Sequence, residues 1–365
     1  MISLIVAFAV GLGLTLFGTP HATTVLVRLG WAQQIRVDGP QTHHVKKGTP
    51  TKGGLVFGLA TMIAYFAAHL VPGTPITPSG LLVLFMMVGM GLVGFIDDYL
   101  KTHRQNTAGL SEGGKLIGQL IVVAAFVPAA LLWTNGQGQP AATYAISFTR
   151  DLPWADLARW GPVVGLLLVG IWVAVLALGT TNAVNFTDGL DGLLVGAAIT
   201  TMAAYVFICL FQMRQSCAVS PGPACYTTAD PQDLAVISTA LLGSLAGYLW
   251  WACRPAKLFM GDTGSLGLGG IFVALAVLTR TEMLFGIIGF LYLIIAGSSF
   301  LQRYWFKLTK GKRLFKMAPL HHHFELLGWA EETITTRFWI IAALSSAAGV
   351  VVFYGEWLLR AGLLS

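Results

Sequence analysis

Charge is what this sequence has least of. Asp, Glu, Lys and Arg together make up 10% of its residues, where a soluble domain carries about a quarter, and that shortage excludes a chain wetted on all sides. Cysteine is scarce too. The four present show no metal-ligand spacing, which removes zinc ribbons and fingers from consideration. Cys209 and Cys253 read as small apolar residues in or near spans. Cys217 and Cys225 share the stretch 212–232, where an outward, oxidising setting would permit a local disulfide. The first residues, Met1-Ile2-Ser3-Leu4, lack the basic n-region of a secretory signal, and no small-residue cleavage pattern follows. The opening apolar run is therefore expected to be a retained span. A separate basic domain is also missing, so the net charge of +6 fits membrane topology and anionic lipid and not nucleic acid.

Hydrophobic residues fill the space that charge leaves: 55% of the 365 residues, with mean hydropathy +0.72. Windows of about 17 to 22 apolar residues are long enough to cross a hydrocarbon core. Ten candidate windows occur, near residues 1–18, 53–71, 80–96, 116–134, 161–180, 190–211, 234–252, 265–279, 284–302 and 338–359, of which the eighth is shorter than the rest and Gly-rich. The expected fold is an all-α integral membrane protein of about ten transmembrane helices, a single polytopic domain over 1–365. If the loops after the odd-numbered spans share one side, that side holds 17 of the 22 Lys and Arg, and only Arg150, Arg159, Arg214, Arg280 and Arg360 lie on the other. The positive-inside rule makes the first side cytoplasmic and puts both termini outside.

Three acidic stretches stand out, all on the cytoplasmic side of that topology: 94–99 (Gly-Phe-Ile-Asp-Asp-Tyr), 182–192 (Asn-Ala-Val-Asn-Phe-Thr-Asp-Gly-Leu-Asp-Gly) and 259–265 (Phe-Met-Gly-Asp-Thr-Gly-Ser). A carboxylate beside hydrocarbon is costly unless it is paired or used, so Asp97, Asp98, Asp188, Asp191 and Asp262 are the first candidates for function. Neighbouring helical residues point about 100° apart. One of Asp97 and Asp98 would therefore meet a metal or substrate while the other accepts a proton or pairs with a cation. Asn182, Asn185, Asp188 and Asp191 recur every three residues, which predicts one polar face entering the sixth span. Capping of that span would explain only one of the four. Residues 259–265 read as a loop entering a helix N-terminus, whose N–H groups suit a phosphate and whose Asp262 suits a hard cation.

Cations and histidines gather on the same side. Residues 48–54 (Gly-Thr-Pro-Thr-Lys-Gly-Gly) let backbone approach a ligand closely, and Lys47 or a neighbour is expected to touch an anionic substrate. Arg104 and Lys115 follow the third span, and residues 303–337 hold seven Lys and Arg together with Pro-Leu-His-His-His-Phe-Glu at 319–325. Successive side chains diverge, so His321, His322 and His323 cannot share one ion. Hydrogen bonding to a polar, anionic substrate is the preferred reading for them. The outward residues 135–160, with Trp154 and Trp160, are expected to form an interfacial helix or loop without chemistry. Carboxylates, a hard cation and basic groups at the mouth of a helical bundle describe phosphoryl transfer between a cytoplasmic substrate and a lipid. Magnesium prefers one or two carboxylates plus phosphate oxygens, and it neutralises a diphosphate that the aspartates would repel.

Taken together, Asp97-Asp98-Tyr99, residues 182–193, 259–265 and 319–325 resemble the polyprenyl-phosphate N-acetylhexosamine-1-phosphate transferases over essentially the whole chain. The triple histidine before Phe324-Glu325 is similar to the bacterial phospho-N-acetylmuramoyl-pentapeptide transferase branch. The resemblance implies transfer of phospho-MurNAc-pentapeptide from UDP-MurNAc-pentapeptide to undecaprenyl phosphate, giving lipid I and UMP with Mg2+. It implies the bacterial inner membrane, the first membrane step of peptidoglycan synthesis, and a homodimer. By the same likeness Asp262 is the magnesium ligand, and Asp97 and Asp98 engage or deprotonate the lipid phosphate. Asp188 lies in the substrate site, Asp191 and Phe259 in a uridine pocket, and Asn182 and Asn185 on the same substrate-binding stretch. Lys47, Lys101 and Lys115 lie near nucleotide and phosphates, and His322 with its neighbours near the sugar-peptide. One departure is Lys52, where the family usually has Met; an added cation there would contact phosphate or snorkel to headgroups.

In-line attack by the lipid phosphate asks the protein mainly for positioning and charge neutralisation, and it is favoured over an aspartyl-phosphate route. A sister enzyme using UDP-GlcNAc would share the aspartates and differ around 321–325. A coupled transporter would spread its ionisable groups along a path through mid-membrane, whereas here they collect at one face.

Overall fold

The structure is a computed structural model that describes residues 1–31, 50–103 and 109–364. Its helices are α1 (Ile2–Arg28), α2 (Gly54–Leu70), α3 (Pro78–His103), α4 (Glu112–Leu132), α5 (Pro162–Thr187), α6 (Leu193–Arg214), α7 (Pro231–Ala252), α8 (Gly261–Leu278), α9 (Phe285–Ile288), α10 (Phe290–Leu308), α11 (Leu320–Glu325) and α12 (Glu331–Arg360). Each of the ten apolar windows holds a helix. Eight helices among the described residues are long and apolar enough to cross a membrane: α1, α3 to α8, and α12. The other two windows differ for separate reasons. Helix α2 is 17 residues long, and the ninth window breaks at Gly289 into α9 and α10. Beyond Ser298 no residue of α10 is buried, and Arg303 and Lys307 interrupt its apolar surface. This architecture makes the chain a multi-pass membrane protein.

Residues 135–160 are neither an interfacial helix nor a plain loop. They form an antiparallel hairpin, β1 (Ala145–Ser147) with β2 (Asp151–Asp156), followed by a 3₁₀ turn at Leu157–Trp160. Cys217 and Cys225 are joined in a disulfide at the same end of the bundle.

Helix α8 is the axis of the bundle. Every residue from Thr263 to Leu278 is buried, as expected of a helix that is apolar all round and sheathed by others. It packs against α3, α5 and α2. The α3 crossing is tightest at Gly94, where a Cβ would lie 2.1 Å from the Asp262 carbonyl oxygen. No side chain fits there, and that close approach sets the separation between the acidic pair on α3 and Asp262 on α8. Helices α3 and α4 also run beyond their apolar windows. The Ser111 side chain caps α4 by accepting the Gly114 N–H at 3.1 Å, and the extensions carry Lys101 and Lys115 into ordered helix.

The opposite end is held by buried polar groups. Asp233 accepts hydrogen bonds from Tyr65 Oη (2.9 Å), Thr77 N (3.0 Å) and Thr77 Oγ1 (2.6 Å), with His69 Nε2 at 2.8 Å. Between α8 and α9, Glu282 accepts from the N–H and Oγ of Ser147, at 2.7 and 3.0 Å, and so pins the hairpin to the core. Burial pushes the Glu282 carboxyl up to about 7. A carboxyl whose folded pKa is raised binds its proton better in the folded state. Its contribution to stability is complete below the ordinary value of 4.5 and is lost as pH rises towards 7. We expect Glu282→Gln to remove on the order of 2 to 3 kcal/mol of pH-dependent stability loss over that window, measured by thermal unfolding at pH 4.5 and 7.5.

Candidate active site

Helices α3 and α8 build the site. Asp97 and Asp98 stand near the C-terminus of α3 and Asp262 in the first turn of α8, and one carboxylate oxygen from each lies within 4.8 Å of the others. Asp97 is buried. Its Oδ1 accepts the Leu110 N–H at 2.7 Å, and its Oδ2 faces Lys101 Nζ at 2.5 Å and Lys115 Nζ at 3.0 Å. The same two ammonium groups reach Asp262 Oδ2, at 3.0 and 2.8 Å. Two carboxylates and two lysines thus neutralise one another where a lone buried charge would be costly. Helical spacing supplies the first pair, since Lys101 lies one turn after Asp97. Lys115 arrives from α4, through the tertiary fold alone.

Asp98 points elsewhere, as the divergence of adjacent helical side chains requires. It accepts the N–H groups of Asp262 (3.2 Å) and Thr263 (2.9 Å) and the Thr263 Oγ1 hydroxyl (2.7 Å). The Gly261 N–H is taken by Asp188. The start of α8, expected to offer free N–H groups to a phosphate, is therefore already capped by two of the chain's own carboxylates. A helix N-terminus carries orphan donors and partial positive charge, and the nearest buried anions satisfy both. Burial, and then the charges of Asp262, Asp98 and Asp191, push the Asp188 carboxyl up to about 7 against that Gly261 hydrogen bond.

The predicted polar face of Asn182, Asn185, Asp188 and Asp191 does not form as one face. Helix α5 ends at Thr187 and the chain turns through 188–192, with Gly192 at φ +72°. Asn182 Nδ2 donates to Leu178 O (2.7 Å) on its own helix, and Asn185 is half-buried in the last turn of α5. Asp188 stays with the α8 cluster, whereas Asp191 Oδ2 accepts the Ala256 N–H at 3.2 Å on a separate loop. Phe259 lies at the end of that loop. Its N–H donates to Pro50 O (2.9 Å) and its carbonyl accepts the Gly53 N–H (2.8 Å), while Gly54 N donates to Met260 O (3.0 Å). The glycine-rich segment thus approaches the third acidic stretch, backbone against backbone. Lys47 and Arg104 lie outside the described residues.

Lys52 does not snorkel. It is wholly buried, with Nζ 3.6 Å from the centroid of the Trp31 ring, 5.5 Å from Phe95 and 5.7 Å from Tyr99, and it donates to Thr102 Oγ1 at 3.3 Å. Burial lowers its pKa, and the charge of Asp98 works against that. Three aromatic faces give the ammonium a partner that costs no second buried ion. Filling the cage matters more than the charge. Lys52→Met is expected to unfold within a few degrees of the wild type, whereas Lys52→Ala, which empties the cage, should lose about 2 kcal/mol or more, as read by thermal unfolding.

The three histidines diverge. His321 is buried against the 188–192 turn, so close that a Cβ on Gly189 would lie 2.1 Å from its Nε2. His322 Nδ1 pairs with Glu325 Oε2 at 2.5 Å, and His323 Nδ1 accepts the Lys316 N–H at 3.1 Å. His321 adjoins the 188–192 turn beside the aspartate cluster. Sequence reading missed Thr263 and Leu110, which fix the two adjacent aspartates through a hydroxyl and a backbone N–H, and Trp31, which closes the lysine cage. No local pattern marks any of the three, because each acts through a partner distant in sequence. Chemically, Asp97, Asp98 and Asp262 are a donor set of hard oxygens for a divalent cation, flanked by two lysines suited to phosphate oxygens.

Comparison with known proteins bears on this arrangement. The model of glycosyl transferase family 4 matches residues 80–280, the segment that carries Asp97, Asp98, Lys101, Lys115, Asp188 and Asp262. Among similar proteins, the phospho-N-acetylmuramoyl-pentapeptide-transferase of Clavibacter sepedonicus is 51% identical over 98% of this chain and 100% of its own length. Those of Kocuria rhizophila and Micrococcus luteus are 50% and 47% identical over 99% and 100% of this chain, covering 97% and 99% of their own lengths. Likeness at this level along the entire chain, on an all-α membrane bundle with its acidic cluster at one end, places the protein in glycosyl transferase family 4, as a member of the phospho-N-acetylmuramoyl-pentapeptide-transferases.

Proposed function

We propose that the protein transfers phospho-MurNAc-pentapeptide from UDP-MurNAc-pentapeptide to undecaprenyl phosphate, releasing UMP and forming lipid I in the bacterial inner membrane. The observation that carries this reading is the juxtaposition of Asp97, Asp98 and Asp262 with Lys101 and Lys115 at one end of a membrane bundle, in a chain that resembles such transferases throughout. That end is read as cytoplasmic from the distribution of Lys and Arg.

Asp262, with Asp97 beside it, is the proposed holder of Mg2+. Bound there, the ion would neutralise diphosphate charge and polarise the phosphorus under attack. Lys101 and Lys115 are proposed to contact the phosphate oxygens, as their shared position between the two carboxylates allows. Asp97, whose Oδ2 faces those lysines, is proposed to engage the lipid phosphate. Asp98 accepts from the start of α8 and is proposed to act with Asp97 at the lipid phosphate while holding Asp262 in position. Asn182, Asn185, Asp188, Asp191, Phe259 and the histidines 321–323, with Lys47, are proposed to hold the nucleotide-sugar donor. The carbohydrate-peptide end would lie towards His321 and His322. In-line displacement needs no covalent enzyme intermediate, and the protein's work is to align the two phosphates and exclude water. A homodimer is proposed from the family likeness.

The test is UMP release by the purified protein with undecaprenyl phosphate, comparing UDP-MurNAc-pentapeptide and UDP-GlcNAc with and without magnesium. Magnesium-dependent release from the muramoyl donor alone is expected. Release from UDP-GlcNAc instead would transfer the protein to the sister activity, and release from neither would overturn the acceptor assignment.

A further inference from the structure

Three segments that are remote in sequence meet at one buried carboxylate, Glu331, in the first turn of α12. Glu331 is 4% exposed. Its Oε1 accepts the backbone N–H of Asp191 at 2.9 Å, and its Oε2 accepts from Arg254 Nη1 at 2.6 Å. Arg254 Nε also lies 3.0 Å from Glu332 Oε1. Two residues beyond Arg254, the Ala256 N–H returns to Asp191 Oδ2 at 3.2 Å and closes a ring of contacts. About two turns further along α12 the Trp339 indole N–H donates to the carbonyls of Gly192 (3.2 Å) and Leu193 (3.1 Å). The start of α12 thus grips the 188–192 turn, and through Arg254 it grips the loop that runs on to Phe259. The histidine-bearing α11 ends six residues before Glu331, with His321 against the same turn.

A glutamate in the first turn of a helix is favourable with the helix dipole, and that alone would account for a solvated side chain. It does not account for a buried one whose two oxygens are divided between a backbone donor on one segment and a guanidinium on another. Such a bidentate division fixes both partners relative to each other. We infer that Glu331 is a positioning residue for the nucleotide-sugar donor, locking the 188–192 turn, the 254–259 loop and the α11–α12 junction into one recognition surface. The acceptor lipid, read as engaging the Asp97 side of the site, does not depend on this lock. The inference rests on the proposed reading that these segments hold the donor.

The experiment uses the full-length protein in nanodiscs, with UDP-MurNAc-pentapeptide and undecaprenyl phosphate each titrated at saturating concentration of the other. Glu331→Leu removes both contacts and is expected to raise the donor KM about tenfold or more, the loss of a charged hydrogen bond. The acceptor KM should stay within about twofold. Glu331→Gln, which keeps an acceptor for the Asp191 N–H, should fall between that variant and the wild type. Arg254→Met should raise the donor KM by a smaller factor, and adding it to Glu331→Leu should worsen the donor KM by less than Arg254→Met does in the wild type, since the contact the two share is already gone and only the Arg254 pairing with Glu332 is left to lose. If Glu331→Leu does not fold, Glu331→Gln and Arg254→Met carry the test. An unchanged donor KM in folded variants overturns the inference, as does a parallel rise in both KM values, which marks general loosening. A wild-type protein that does not turn over the muramoyl donor overturns the parent reading and the inference with it, a result distinct from a working enzyme whose variants are unaffected.

Discussion

Asp262→Asn is expected to leave the protein folded and to reduce magnesium-dependent UMP release by about three orders of magnitude or more. The amide keeps the size of the side chain and can still accept one hydrogen bond, so the packing of α8 against α3 at Gly94 is untouched. What disappears is one of the two negative charges that Lys101 and Lys115 share. The remaining Asp97 then faces two ammonium groups alone, and the three-aspartate, two-lysine cluster loses its net negative charge, which weakens its hold on a divalent cation. The measurement is turnover against magnesium concentration, paired with thermal unfolding of the same preparation. Near-normal turnover would sink the assignment of Asp262 as the ion's ligand. Inactivity accompanied by unfolding would show instead that the carboxylate is structural.

Asp98→Ala should behave differently, failing in stability and in turnover together. Its oxygens accept from Asp262 N, Thr263 N and Thr263 Oγ1, and deletion leaves these buried donors without an acceptor. Each such loss costs about 1 to 3 kcal/mol, offset in part because a buried anion is no longer desolvated. A net loss of about 3 kcal/mol is expected, with at least a hundredfold fall in turnover as the start of α8 frays and Asp262 moves. Asp97→Asn, by contrast, is expected to lose turnover while keeping the thermal midpoint, because its N–H donor from Leu110 can still be accepted. Equal stability of the Asp97→Asn and Asp98→Ala proteins would contradict the separation of roles drawn from the geometry.

Much of the candidate site was legible in the chain. Asp97, Asp98 and Asp262 could be singled out because carboxylates are few and each lay at the end of an apolar run, and these three are the ones whose oxygens converge. Lys101 and Lys115 were legible only through family resemblance, since surface cations near a membrane have an ordinary explanation in topology. The polar periodicity at 182–191 misled. A period of three implies one face only while the helix continues, and here α5 stops at Thr187. The glycine-rich start of α8 misled as well, because a sequence shows that a helix N-terminus exists and cannot show which anion reaches it first.

The sequence by itself determined that the chain lives in a membrane, where its helices run, and which carboxylates are too expensive to be idle. Those conclusions follow from hydrocarbon, which penalises unpaired backbone and charge residue by residue, without reference to any partner. Tertiary structure alone decided the pairings: that Lys115 of α4 meets Asp97 of α3, that Asp98 caps α8, that Lys52 sits among three aromatic rings, and that Glu331 joins the 188–192 turn to Arg254. Each of these depends on distances between residues tens to hundreds of positions apart. Close packing at points such as Gly94, where backbone meets backbone with no room for a Cβ, fixes those distances.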